Sequence, residues 1–384
     1  MKPPDLPAPA PEAAAHSERV LGTVVERIRA DGPLRFDAYW DLVLYEPGLG
    51  YYAAGTTKFG AAGDFVTAPE LGPIFGRCVA GQIAAVLDEL GGGDIVEYGA
   101  GTGAFAATTL ERLAELGKLP ERYRIVERSA DLAARQRELL AAAVPNLLER
   151  VEWLEALPAT PWRGVVFANE VLDALAARRL LHRDEAWFEL HVGLDGDRLA
   201  WAPVPLPDDL RHAVDRIEAC WDRTPTGDWL TEVQPSTAPW LAGAVEALEA
   251  GAVLLCDYGY DEREYFHPDR KRGTLICHYR HRAHDDPFHL PGLTDLSVSV
   301  NFGAVMRAMA AAGLSPDGYA SQAQFLLAAG LEDEFQAAFE RDAAEQIARV
   351  NEIKRLTLPA EMGERFRFIG GLKGALSGMP AFGR

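Results

Sequence analysis

The sequence predicts an α/β fold: a Rossmann-like parallel sheet with helices packed on it. Three observations carry this. Short apolar runs at 94–98, 123–127, 149–153, 164–168 and 252–257 read as strands, and stretches of helical period at 103–117 and 129–143 fall between the first of them. Strands alternating with helices build βαβ units and hence a parallel sheet. Three glycines at alternate positions, Gly99, Gly101 and Gly103, join the first strand to the helix after it. A chain of 384 residues, 48% of them hydrophobic, is long enough to bury such a core and a second segment beside it.

Taken in order, residues 1–16 are rich in Pro and Ala and are expected to be a disordered tail. Ser17 reads as the N-cap of a helix to about 31, with Val20, Leu21, Val24, Val25 and Ile28 on one face. A second helix at 35–44 stops before Pro47, and a Gly-, Pro- and aromatic-rich loop follows. Together these make an N-terminal helical cap and lid loop over 17–72. The core is expected over 73–330, opening with a helix at 73–90. An insertion at 178–250 interrupts it. There, 186–194 and 198–206 flank Asp195-Gly196-Asp197 as a β-hairpin, and 208–221 and 237–249 read as helices. Residues 331–384 are a helical and strand extension.

Composition narrows the partners. The formal net charge of −19 repels phosphate backbones, which argues against nucleic acid and allows a basic protein segment as partner. No apolar stretch reaches the ~18 residues of a membrane span, and the N-terminus lacks a secretory core. Cys78, Cys220, Cys256 and Cys277 are scattered and have no C-x-x-C spacing. That suggests buried thiols in a reducing, cytoplasmic setting. His278, His281, His284 and His289 lie close in sequence, but the spacing of the first three does not keep to one face of a helix or strand. A polar loop is the expectation there, and no metal site. An oligomer is left open.

The glycine turn carries the chemistry. Gly costs conformational entropy unless the chain must turn tightly or let something approach closely. Gly99, Gly101 and Ala104 satisfy the G-x-G-x-x-A pattern of dinucleotide enzymes. S-Adenosylmethionine, which has no phosphate, needs close backbone approach and an acid near its ammonium group. Glu97, two residues before Gly99, fits that need. Glu127, ending the second strand, is placed to accept hydrogen bonds from ribose hydroxyls, a feature common to both cofactors. Glu97 and the third glycine favour the methyl donor. A turn kept for tight helix–sheet packing stays open. No G-K-[ST] follows, so a triphosphate loop is excluded.

Asn169 and Glu170 end the strand at 164–168, at the sheet edge where ligands bind. A helix starting near 170 would put Asp173 one turn on, on the same face as Glu170. Such a pair could clamp a guanidinium. Helix capping by Asn169 or Asp173 is the alternative. In 63–70, Asp64, Phe65, Thr67 and Glu70 could form a lid, or Thr67 could simply cap a helix.

At these residues the sequence resembles the MidA-like methyltransferases, whose mitochondrial members are arginine methyltransferases acting in assembly of respiratory complex I. The likeness runs from about residue 20 to about 375, through YEPGLGYY, FGAAGDFVTAPELGPIFG, VEYGAGTGAFA, NEVLDAL, DYGY, GTLICHYRHRAHDDPFHLPG and SQAQFLLAAG. The GDF-x-TAPE and NE-x-x-DAL runs are far more specific than the glycine turn. The resemblance implies a class I methyltransferase core. It implies S-adenosylmethionine at Glu97, Gly99, Ala100, Gly101, Gly103 and Glu127, with Asp64, Thr67 and Asn169 lining the cleft and Glu170 and Asp173 as catalytic carboxylates. It implies a protein or peptide acceptor bearing arginine. A small-molecule acceptor, or a cofactor-binding assembly factor without catalysis, is the alternative. The sequence departs from the family at Ala176, where Pro is usual, at Asn301, where an acid is usual, and at Glu70-Leu71-Gly72-Pro73. All lie in expected acceptor-side loops.

Overall fold

The computed structural model describes residues 6–53, 66–156, 160–339 and 342–383. These form two compact units. One comprises Val66–Leu172, Ala238–Gly259 and Ala304–Arg384; the other comprises the described residues of Met1–Phe65 with Asp173–Thr237 and Tyr260–Gly303.

The first unit holds the nucleotide-type sheet. Its strands are β1 (Asp94–Tyr98), β2 (Tyr123–Val126), β3 (Val151–Leu154), β4 (Trp162–Asn169), β5 (Leu248–Tyr260), β6 (Ser315–Ser321) and β7 (Phe366–Lys373). Their spatial order is β6-β7-β5-β4-β1-β2-β3. The pairs β1–β2, β1–β4, β2–β3 and β4–β5 are parallel, whereas β7 runs antiparallel to β5 and β6. The strand order reverses between β1 and β4, so their carboxyl ends flank the switch point where open α/β sheets take ligands.

All five residues of β1 are buried, as expected for a parallel strand covered on both faces. Helix α1 (Ile74–Leu90) supplies Phe75, Val79 and Ile83 to the same core as Ile95, Val165, Phe167 and Leu254. Helix α2 (Ala104–Glu115) follows the glycine turn, and Phe105 at its start stacks on Phe167 with ring centroids 4.0 Å apart. Such a pair adds about 1 kcal/mol beyond its buried area. Helix α3 (Ala130–Ala143) follows β2, with Ser129 as its N-cap.

The second unit is mostly antiparallel. Strands Ala186–Asp195 and Arg198–Pro205 form the expected hairpin, with Gly196 at φ +61° leading its two-residue turn. The hairpin belongs to a larger sheet that includes Leu34–Arg35, Arg178–Arg183 and Trp229–Val233. The helices Pro11–Asp31 and Phe36–Tyr45 bury Val20, Val24, Phe36 and Trp40 in a core with Val192.

Several expected boundaries move. The first helix begins at Pro11, inside the expected tail. Ser17 is buried in it and donates to the Pro291 carbonyl at 2.9 Å, a contact far away in sequence. The insertion does not end at 250: residues 238–259 return to the sheet, where β5 begins at Leu248, and 260–303 belong with the inserted unit. The expected helix at 237–249 accordingly ends at Val245. The stretch 331–384 is no appendage, because its strand β7 sits between β5 and β6. No helix among the described residues is long and apolar enough to cross a membrane. Among them no group of three His, Cys, Asp or Glu could hold a metal ion.

Candidate active site

The glycine turn leaves β1 with φ +63° at Gly99, +53° at Gly101 and +90° at Gly103. That region penalises any residue with a Cβ. The surroundings separate the three. A Cβ on Gly99 would come 2.8 Å from Val171 Cγ2, and one on Gly103 would lie 3.4 Å from the Gln136 backbone. Gly99 lets Val171 approach, whereas at Gly103 the positive φ alone asks for glycine. A Cβ on Gly101 would meet nothing within 4 Å. The turn therefore presents a bare backbone to open space at Gly101. Ala100 packs into the core beneath. Helix α2 starts without a side-chain cap, which leaves first-turn N–H groups to be satisfied from outside.

Beside the turn, Glu127 follows β2. One carboxylate oxygen accepts from the Ser129 N–H at 2.8 Å and the other from Gln136 Nε2 at 3.0 Å. Burial pushes its pKa up, while these hydrogen bonds pull it down. With the Arg128 N–H as a further donor, the carboxylate still has lone-pair capacity for a ligand hydroxyl. Gln136 also donates to the Gly101 carbonyl at 3.0 Å, so it ties Glu127 to the glycine turn. Sequence reading passed over Gln136 because it sits inside a helix with no motif around it. Its only signal was a polar residue on the buried face of α3.

Glu97 is 3% exposed and points inward. Its carboxylate accepts from the Tyr123 hydroxyl at 2.7 Å. Burial raises its pKa to about 8; the Tyr123 hydrogen bond lowers it, and the nearby Glu127 charge raises it.

At the end of β4 the expected helix is absent. Glu170 lies at φ +53° and the chain continues as a turn. The spacing argument for Glu170 and Asp173 on one helix face therefore fails. Three hydrogen bonds hold the turn instead. The Glu170 N–H donates to the Cys256 carbonyl at 2.9 Å, and Asn169 Nδ2 donates to the Glu170 carboxylate at 3.2 Å. The Leu172 N–H donates to Asp257 at 2.9 Å. Asp257, fully buried on β5, also accepts from the Tyr258 N–H at 2.9 Å. Val171 in this turn fills the space that Gly99 leaves. Asp173 belongs to the other unit, where its carbonyl accepts from the Val298 N–H at 3.1 Å. Asp257 was not picked out from sequence, since an acid ending a strand looks the same whether it faces a ligand or a backbone.

Thr67 precedes a single helical turn, Ala68–Leu71, in a capping box; its N–H donates to the Glu70 carboxylate at 3.2 Å. Capping is thus the observed job of this pair. Asp64, with Phe65, lies outside the described residues. The departure at Gly72 has a local cause: a Cβ there would collide with the Glu352 carboxylate, which accepts from the Ile74 N–H at 2.7 Å.

The geometry suits S-adenosylmethionine: a bare cradle at Gly101, and an acid with spare lone pairs beside it. The comparisons agree. The chain matches the family of S-adenosyl-L-methionine-dependent methyltransferases over residues 78–320. It is similar to a crystal structure of a protein from Burkholderia thailandensis bound to S-adenosyl-homocysteine. That likeness has 40% identity and a TM-score of 0.93, and covers 99% of this chain and 98% of that one. It is also similar to the mitochondrial protein arginine methyltransferase NDUFAF7 of Rattus norvegicus, at 26% identity over 93% of this chain and 85% of that protein. The Drosophila melanogaster homologue is 27% identical over 97% and 90%. The turn, the sheet order and these matches lead to one assignment: the chain belongs to the S-adenosyl-L-methionine-dependent methyltransferase family.

Proposed function

We propose that this methyltransferase modifies a protein side-chain nitrogen, and that the acceptor is arginine. The observation behind this is Glu170, a carboxylate held at a strained backbone angle on the strand end next to the glycine turn. Strain of this kind is retained where a side chain is needed at that point. When bound, the cofactor supplies an electrophilic methyl group on a sulfonium. The Glu170 carboxylate would accept two guanidinium N–H bonds, orient the attacking nitrogen and take up its proton. Gly101 with Ala100 and Gly99 would cradle the cofactor, Glu127 would bind its ribose, and Glu97, Asn169 and Thr67 would complete the cleft. The related proteins named as arginine methyltransferases favour this acceptor. So does the charge of −19, which suits a basic partner and disfavours nucleic acid.

The departures in acceptor-side loops keep a small molecule as the second reading, although at Gly72 the chain's own packing accounts for the change. The compartment stays a reading from composition. The named relatives are mitochondrial and lend the cytoplasmic expectation no support.

The test is methyl transfer from labelled S-adenosylmethionine into a cell extract, followed by acid hydrolysis. Label recovered as methylarginine supports the proposal. Label in another amino acid or in the small-molecule fraction overturns the arginine assignment. Cofactor binding without any transfer favours a non-catalytic assembly factor.

A further inference from the structure

We propose that Gln136 is a positioning residue that sets the enzyme's discrimination for a ribose-bearing cofactor by holding Glu127 and the glycine turn in one fixed relation. The proposal rests on Glu127 as the ribose acid. Gln136 is completely buried in α3, where an amide is costly unless every polar atom is paired. All of them are. Nε2 has two hydrogens, one given to the Gly101 carbonyl and one to Glu127, both at 3.0 Å. Oε1 accepts from the Trp153 indole N–H at 3.0 Å. An indole nitrogen only donates, and the other two partners only accept. The amide thus has a single satisfactory orientation, and flipping it would break three hydrogen bonds at once. Trp153 is itself braced by Arg137, whose guanidinium lies 4.6 Å from the ring centroid. Gly103, at φ +90°, brings the chain into α2 directly beside Gln136.

The consequence is geometric. Ser129 and Gln136 each occupy one side of the Glu127 carboxylate, so the remaining lone pairs have a defined direction. Two adjacent ribose hydroxyls need that direction to bond both oxygens. The bond to Gly101 holds the cradle at a set distance from the acid. Without Gln136, Glu127 keeps only its backbone anchors at Ser129 and Arg128 and loses the side-chain bond that fixes its second oxygen against the glycine turn. It would still attract the cofactor but would no longer distinguish two hydroxyls from one.

The experiment is calorimetric titration with S-adenosylhomocysteine and with its 2′-deoxy analogue, which lacks one hydroxyl. Wild type should prefer the ribose form by roughly ten- to a hundredfold, the range of a charge-assisted hydrogen bond. Gln136→Leu should bring that ratio down to within about threefold of unity. Trp153→Phe, which keeps the glutamine but releases its carbonyl, should lower the ratio part way, and it serves if Gln136→Leu fails to fold. A general packing defect would weaken both ligands equally and leave the ratio untouched. That result, with Glu127→Gln losing the discrimination, overturns the role of Gln136. If Glu127→Gln keeps the discrimination, the ribose assignment itself falls.

Discussion

Two neighbouring turns, after β1 and after β4, meet the same demand in opposite ways. Both leave the carboxyl end of a buried parallel strand, and both need positive φ. The first uses three glycines, so the backbone turns without strain and Gly101 stays bare. The second places Glu170 at φ +53°, where a side chain costs about 1–2 kcal/mol. The difference shows what each turn presents: backbone in one, a carboxylate in the other. Each turn is also backed by a buried acid. Glu97 has a hydroxyl partner, Tyr123, and is pushed toward its neutral form. Asp257 instead accepts two backbone N–H bonds and anchors the turn.

The sharpest way to break the comparison is to give the first turn a side chain. Gly101→Val should abolish S-adenosylhomocysteine binding in calorimetry, a loss of about 4 kcal/mol or roughly a thousandfold, while the circular dichroism of the fold is kept. Affinity within threefold of wild type would place the cofactor elsewhere.

The buried acid of the first turn gives the next effect. The folded state holds the Glu97 proton up to about pH 8, whereas the unfolded chain releases it near its ordinary value of 4.5. The folded state therefore binds more protons across that window, and its stability falls as pH rises through it. Denaturant titrations should show wild type losing on the order of 3–4 kcal/mol between pH 5 and 8 relative to Glu97→Gln. Parallel pH profiles would mean that Glu97 ionises freely.

Asp257→Ala removes the acceptor of two buried N–H groups and should cost about 2 kcal/mol. It should also lower methyl transfer more than cofactor affinity. A variant as stable as wild type would show that the second turn does not need its anchor.

The smallest effect in stability is the most diagnostic. Glu170→Gly relieves the positive φ at some cost in chain entropy, so it should stabilise by up to about 1 kcal/mol and abolish transfer. Glu170→Gln should leave both stability and cofactor binding unchanged and still lower transfer. Loss of stability in the glycine variant would remove the argument that strain is held there for function.

What could be read from sequence was whatever is local. The strand–helix alternation, the glycine turn and Glu127 each lie within one short stretch whose residue types declare their role. So does the hairpin at Asp195-Gly196-Asp197. The turn at Glu170 was misread because helix-compatible residues follow it, and bonds to Cys256 and Asp257, more than eighty residues on, help hold it out of a helix. Thr67 and Glu70 were legible as a cap because a capping box is a four-residue pattern.

The sequence by itself determined the fold class and, with the resemblance carried by its motifs, the methyl-donor family, because periodicity, glycine turns and motif runs act over a few residues. Tertiary structure alone decided that β7 enters the sheet, that Gln136 joins Glu127 to Gly101, and that Asp257 anchors the Glu170 turn. Those outcomes come from satisfying buried polar groups between segments distant in the chain. That requirement exists only once the segments are packed, and it leaves no local pattern to read.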